Sequence, residues 1–323
     1  MVIIFSVWKT MIGSAVVSLP WAYQQSGLIV GCLVTCTSFL VSYYTCYLII
    51  YAARKDSDFF DTVRRYYGSF GYHVGATMNC ILLTGVCIVY FVIQVQLLYP
   101  LTLAIYSWSS GNNAPYLSEP TFSQYSSSHC AIFLFVILSL ISIKKDMSIF
   151  MKVGSIGVIF IFMLTFFIMY TGFVALNNTE FMVGKATDAK YTDWNQPYRT
   201  LSLIAPNVGP LAGIFGLGYF LHPVSLPIVR SAAVPKNTNR DIFLGYLFVF
   251  ISYLLLGSLG YIGFIGTDFA NYFESKDGTE SDGEIDQNCL NMFGYTEVPA
   301  FILRLAIFLL IFSGYPLLHF LLN

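Results

Sequence analysis

The sequence predicts an all-α polytopic membrane protein, and three observations carry that prediction. Hydrophobic residues fill 56% of the 323 positions and charged residues only 10%, against roughly 45–50% and about 25% in soluble domains. The apolar residues fall in long stretches nearly free of charge, with a mean hydropathy of +0.68, and about 20 such residues let one helix cross the hydrocarbon core. The net charge is −1, from 16 basic and 17 acidic residues, so there is no basic face for nucleic acid and the partner implied is the lipid bilayer. Seven Cys without a C-x-x-C pair and four scattered His give no metal-ligand spacing. The N-terminus lacks the basic n-region of a signal peptide and reads as the start of the first span.

Eight spans follow in order. Val2–Tyr23 is interrupted only by Lys9, and Leu28–Ala53 follows after the tight connection Ser26-Gly27. Val74–Trp108 is long enough to tilt steeply, with Pro100 near its end. Ala131–Ile143 has 13 residues, about 20 Å of helix, so it must borrow a turn from Ser126–Cys130. Val153–Leu176 and Ile242–Gly266 are uninterrupted, Thr200–Leu221 is rich in Gly and Pro, and Val298–Leu322 carries Arg304. Between the second and third spans, Asp56–Tyr67 is polar with Phe59, Phe60, Val63, Tyr66 and Tyr67 along one face, as in a short amphipathic helix at the membrane surface.

Basic residues orient the chain. Arg54, Lys55, Arg64, Arg65, Lys144, Lys145, Lys152, Arg230, Lys236 and Arg240 fall on one side, and Lys185, Lys190, Arg199 and Lys276 on the other. The richer side is cytosolic by the positive-inside rule. The N-x-[ST] sequon at Asn177 and the acidic run Asp277, Glu280, Asp282, Glu284 and Asp286 then share the non-cytosolic side, with Asn177 a glycosylation candidate.

Irregular backbone at membrane depth is tolerated only where it lines a cavity or a binding site. The first span is weak around Gly13, between Thr10 and Ser14, with Pro20 beyond, and the sixth is weak along Gly209–Tyr219. One interrupted helix opening each half is the sign of an inverted-repeat secondary transporter, with a first repeat over 1–176 and the start of a second over 200–323. The glycines at 257, 260, 263 and 266 form a smooth stripe and read as helix packing. The spans hold no Asp or Glu and no His pair, which excludes an enzyme, and no charged ring or filter repeat suggests a channel.

Trp8-Lys9-Thr10-Met11-Ile12-Gly13-Ser14-Ala15 with Leu19-Pro20-Trp21-Ala22, Tyr67-Gly68-Ser69-Phe70-Gly71, Phe220-Leu221-His222, Asn239-Arg240-Asp241, and Arg304 with Tyr315-Pro316 occur in the order and spacing of one family. The chain resembles the amino acid/auxin permeases, and among them the lysosomal, arginine-responsive branch of the sodium-coupled neutral amino acid transporters. The resemblance implies a five-plus-five inverted-repeat permease fold with eight of eleven helices present, as in a truncated product. It implies a small-molecule amino acid as substrate, no cofactor, and a lysosomal or vacuolar membrane. The unwound backbone at Thr10, Met11, Ile12, Gly13 and Ser14 would hold the zwitterionic end of the amino acid, while Tyr90, Gln94, Phe215, Gly218 and Tyr219 would wall the cavity. Freed N–H groups suit the carboxylate and freed carbonyls the ammonium.

Relatives carry asparagine where this chain has Lys9, beside a sodium ion whose span-eight hydroxyl corresponds to Ser313. Lys9 is thus a candidate surrogate for the ion, and sodium and proton coupling both stay open. Cys130 and Cys289 share the non-cytosolic side, and the resemblance implies a disulfide between them. Arg304 is expected to snorkel or to pair with Glu297, two turns earlier. A sensor that reports amino acids to cytosolic signalling partners is the competing reading, beside a truncated product without transport.

Overall fold

The computed structural model describes residues 2–53, 58–112, 117, 120–142, 148–178, 180–184, 198–230, 237–265 and 285–322. The basic residues Arg54, Lys55, Lys144, Lys145, Lys185, Lys190, Lys236 and Lys276, the acidic run from Asp277 to Glu284, and Gly266 lie outside them.

Helices dominate, as the hydropathy requires. The broken first span is α1 (Val2–Met11), a 3₁₀ turn (Ser14–Val17) and α2 (Leu19–Ser26). Then come α3 (Leu28–Ala53), α4 (Phe59–Ser110), α5 (Ser127–Ser142), α6 (Ser148–Asn178), α7 (Gly209–Gly218), α8 (His222–Arg230), α9 (Thr238–Phe264) and α10 (Val298–Leu322). Among the described residues, six stretches are long and apolar enough to cross a membrane when α7 and α8 count as one. The other two expected spans are the broken first helix and α5, whose 16 residues include the borrowed turn from Ser127 to Cys130. Helix α4 bends at Gly68, φ 68°, a left-handed conformation that favours glycine. The stretch 59–67 is therefore a separate short helix, as its amphipathic pattern suggests.

The sixth span differs from expectation. Residues 198–202 form a strand, paired in parallel with a second strand at Glu180–Gly184, and the helix begins only at Gly209. It breaks at 219–221 and resumes as α8 to Arg230. The restart follows from Pro223, which has no N–H to lose and fits a first helical turn.

Helix α9 is the spine, packing against α1, α2, α3 and α6, while α10 packs on α4 and α6. Its glycine stripe works as packing. A Cβ at Gly257 would strike the Tyr23 ring, one at Gly260 would lie 2.6 Å from Pro20 Cγ, and one at Gly263 would lie 2.9 Å from Gly172 N. Trp8 Nε1 donates to Ser252 Oγ at 3.0 Å and fixes α1 to the same spine.

The end that carries the strands is closed by backbone pairing. Ile29 N donates to Leu203 O, Ala205 N to Ser26 O, and Ser202 N to the Tyr261 hydroxyl, each at 3.0 Å. Gly27, φ +80°, turns α2 into α3 so closely beneath this segment that a Cβ would lie 2.7 Å from Ile204 N. Ile285 N donates to Gln24 Oε1 at 2.7 Å, and Phe293 sits edge-on between Phe167 and Phe264.

Arg304 holds this cap from below. Its side chain is 0% exposed, so it does not snorkel. It donates to Gly294 O at 3.1 Å, Leu290 O at 2.7 Å and Phe293 O at 2.6 Å, while Gly294 N donates to Glu297 Oε1 at 3.2 Å. The guanidinium thus adds donors to the carbonyls of a tight turn in which Leu290 O and Gly294 O also accept from Phe293 N and Glu297 N at 3.4 and 3.3 Å, and Glu297 braces the same turn. The expected disulfide is absent: Cys130 and Cys289 are both free thiols. Cys130 packs with Tyr99, Leu103, Ala104 and Tyr295, its Sγ 3.1 Å from the Tyr125 hydroxyl. Cys289 belongs to a different cluster, the main core with Leu290 and Phe293.

Two predictions follow from the cap. Replacing Arg304 by Leu removes the guanidinium donors from three buried carbonyls, of which Phe293 O depends on them most, and the variant should lose about 1–3 kcal/mol of stability, seen as a lower thermal midpoint in detergent. Asp286 accepts from Asn288 N at 2.8 Å, and partial desolvation by the surrounding turn raises its carboxyl above the usual carboxylate range although the residue keeps exposed surface. With the folded pKa raised, the folded state binds more protons at this group than the unfolded chain, so its contribution to stability is present at acid pH and is lost as pH rises through that window, a small effect at an exposed site. Asp286→Asn should flatten the fall, as read from thermal midpoints across pH 4 to 7.

Candidate substrate site

A cavity of about 360 Å³ lies between the first-span break, α4 and the α7–α8 junction. Its wall includes Thr10, Met11 and Gly13, then Leu83, Val86, Val89 and Tyr90, then Leu217, Gly218, Phe220, Pro223 and Val224. Asp58, Phe60, Asn79 and Pro227 also border it. Asp58 precedes the short helix that carries Arg64 and Arg65, and Pro227 stands just before Arg230. The cavity therefore reaches toward the end of the molecule that bears the basic loops, opposite the cap.

Five of the expected site residues meet here: Thr10, Met11, Gly13, Tyr90 and Gly218. Thr10 Oγ1 is committed to Ser6 O at 2.7 Å within its own helix. Gly13 leaves the helical conformation at φ −115°, ψ −134°, and a Cβ there would lie 2.8 Å from the Tyr90 hydroxyl. On α10, a Cβ at Gly314 would lie 3.3 Å from Tyr90 Cε2. The phenol of Tyr90 is thus seated between two glycines on separate helices. Ile12 points into the core instead, and the side chain of Ser14 lies outside the described residues.

Phe215 and Tyr219 do not border this cavity. They line a second groove against α3, of about 370 Å³, with Thr37, Ser42, Thr45 and His222. There Ser42 Oγ donates to Tyr219 O at 3.0 Å, and Thr45 Oγ1 lies 2.8 Å from His222 Nε2. Gln94 is 0% exposed, and neither polar atom of its amide has a partner among the described residues. Lys9 and Ser313 are not joined: Ser313 Oγ donates to Leu310 O at 2.8 Å, and Lys9 has no hydrogen bond among the described residues. The surrogate role requires Lys9 Nζ within hydrogen-bond reach of Ser313 or of a span-eight carbonyl, and no such contact is present among the described residues.

Sequence reasoning missed the residue that ties the breaks together. Tyr253, 0% exposed on α9, donates from its hydroxyl toward Met11 O at 2.7 Å and Gly218 O at 3.2 Å. These are the last residues of α1 and α7. Helix-ending carbonyls have no partner within their own helix. Gly218 permits the approach, since a Cβ there would lie 2.9 Å from the Tyr253 hydroxyl. The rings of Phe215 and Tyr219 flank Tyr253 at 5.6 and 5.3 Å between centroids, so they shape the site from behind.

Comparison with known proteins agrees with this architecture. A family model described as transmembrane amino acid transporter protein matches residues 2–267. Relatives align along 99% of the chain: the sodium-coupled neutral amino acid transporter 9 homolog of Caenorhabditis elegans at 24% identity, and neutral amino acid transporter 9 of Rattus norvegicus at 23% and of Danio rerio at 22%. The alignments take in 57%, 61% and 62% of those proteins, so the chain spans about three fifths of the length of the curated relatives it matches. With the match covering most of the chain, and a cavity walled by two broken apolar helices, this protein belongs to the transmembrane amino acid transporter family and is not an enzyme.

Proposed function

We propose that the chain moves amino acids across a membrane by alternating access, binding them at the breaks of the first and sixth spans. One observation carries the reading: a single cavity, of a size suited to a small ligand, has the ends of both broken helices in its wall. Backbone freed at such breaks presents N–H groups and carbonyls to a zwitterion, a recognition shared by all amino acids. The cap at the opposite end supports an arrangement open toward the basic loops and closed toward the sequon. In our reading the membrane is lysosomal or vacuolar, with Asn177, exposed at the end of α6, facing the lumen.

Uptake into proteoliposomes tests the function. A mixture of the twenty isotope-labelled L-amino acids, measured with and without sodium and pH gradients, reads substrate and coupling together. No uptake of any amino acid, with the protein folded and inserted, overturns it. Gly13→Val should lower uptake at least about tenfold at normal expression, because the new side chain displaces the Tyr90 hydroxyl from the cavity wall. Normal uptake by that variant removes the break from the site. Enzymatic deglycosylation should shift the mobility of the wild type and leave Asn177→Gln unchanged, and no shift for either would reject glycosylation at Asn177.

A further inference from the structure

We propose that Tyr253 is a positioning residue for the substrate's ammonium group, holding the carbonyls of Met11 and Gly218 at the spacing that seats it. The inference rests on the reading that substrate binds at the breaks and adds the residue that shapes one end of the site.

The argument starts from a count of donors and acceptors. A phenol has one hydrogen to give, whereas each carbonyl oxygen has two lone pairs. Two carbonyls converge on one hydroxyl at 2.7 and 3.2 Å, so the hydrogen fills one lone pair at a time and acceptors remain in excess. That imbalance suits a group with several hydrogens and a positive charge. A primary ammonium brings three donors, enough to serve both carbonyls.

Helix geometry adds to the attraction. Both oxygens end helices of 10 residues, α1 and α7, and the C-terminal ends of their macrodipoles carry partial negative charge. Met11 and Gly218 border the cavity, while Tyr253 does not. Gly218, having no side chain, meets the cavity with its backbone, and the tyrosine stands behind the two helix ends. Its place is rigid: the ring is fully buried, flanked by Phe215 and Tyr219, on the helix that packs most of the first repeat. The shared hydroxyl draws the ends of α1 and α7 toward a common point.

A structural role and a positioning role separate by ligand. Uptake in proteoliposomes is measured for the amino acid that the wild type takes up best from a labelled mixture of the twenty L-amino acids. Competitors are the same amino acid unlabelled and its des-amino carboxylic acid, which keeps the carboxylate and side chain and lacks the ammonium. The wild type should favour the amino acid strongly as competitor. Tyr253→Phe should reduce that preference at least tenfold while inhibition by the des-amino acid stays the same. Gly218→Ala, which keeps the tyrosine but presses a Cβ on its hydroxyl, should show the same selective loss and serves if Tyr253→Phe fails to insert. Equal weakening of both competitors would mark a general structural defect and overturn the proposal, as would an unchanged preference. The underlying reading fails separately: if Gly13→Val transports normally, the breaks are not the site, whatever Tyr253 does.

Discussion

Two helices stop inside the membrane here, and the hydroxyl of Tyr253 is what makes that tolerable. Each carbonyl left without a donor in a hydrocarbon surrounding costs on the order of several kcal/mol. One phenol reaching Met11 O and Gly218 O shares its single hydrogen between the two ends. The rest of the arrangement follows from placing that phenol. Helix α9 must run through the centre, which it does by keeping glycines where Tyr23, Pro20 and Gly172 press against it. Trp8 is anchored to Ser252, beside Tyr253 in sequence, so α1 is held on the same spine one turn before it breaks.

At the capped end the same constraint is met by a different chemistry. A turn at 290–294 exposes carbonyls to a dry interior, and a fixed cation supplies the hydrogens. Arginine suits this task because its planar fork offers several donors in set directions and stays charged at any physiological pH. The breaks at the site use a neutral donor with a single hydrogen, and the contrast is chemically sensible. A cation fills its carbonyls permanently, whereas a phenol leaves acceptors over for a visitor.

Most of the membrane architecture was legible, because lipid imposes one demand, apolar length, that the sequence displays openly. The borrowed turn before α5 and the amphipathic stretch before Gly68 were readable on the same grounds. The sixth span was misplaced because Gly209–Gly218, rich in glycine, looks weak and yet is helical once packed, while the true break at 219–221 is signalled only by the following Pro223. Tyr253 left no signal. It is one of 23 tyrosines, and its partners are backbone atoms, which side-chain identity cannot reveal. Arg304 was conspicuous as a charge in an apolar run, but the turn carbonyls it serves are likewise backbone atoms, hidden from side-chain identity. For Cys130 and Cys289, compartment and side of the membrane say that a bond is permitted; only the packing of each thiol in its own cluster decides.

The hydrogen bonds also differ in how far along the chain their partners lie. Arg304 finds its carbonyls 10 to 14 residues upstream, so that clasp closes as soon as its own hairpin is inserted. Met11 lies 242 residues before Tyr253. A chain made from its N-terminus delivers the broken first helix long before the residue that completes it. During that interval the end of α1 must be hydrated, or shielded by something other than its final neighbour. The broken helix is thus synthesised well before the residue that partners its end, which makes the order of membrane insertion, and not only the finished fold, a condition for having a binding site at all.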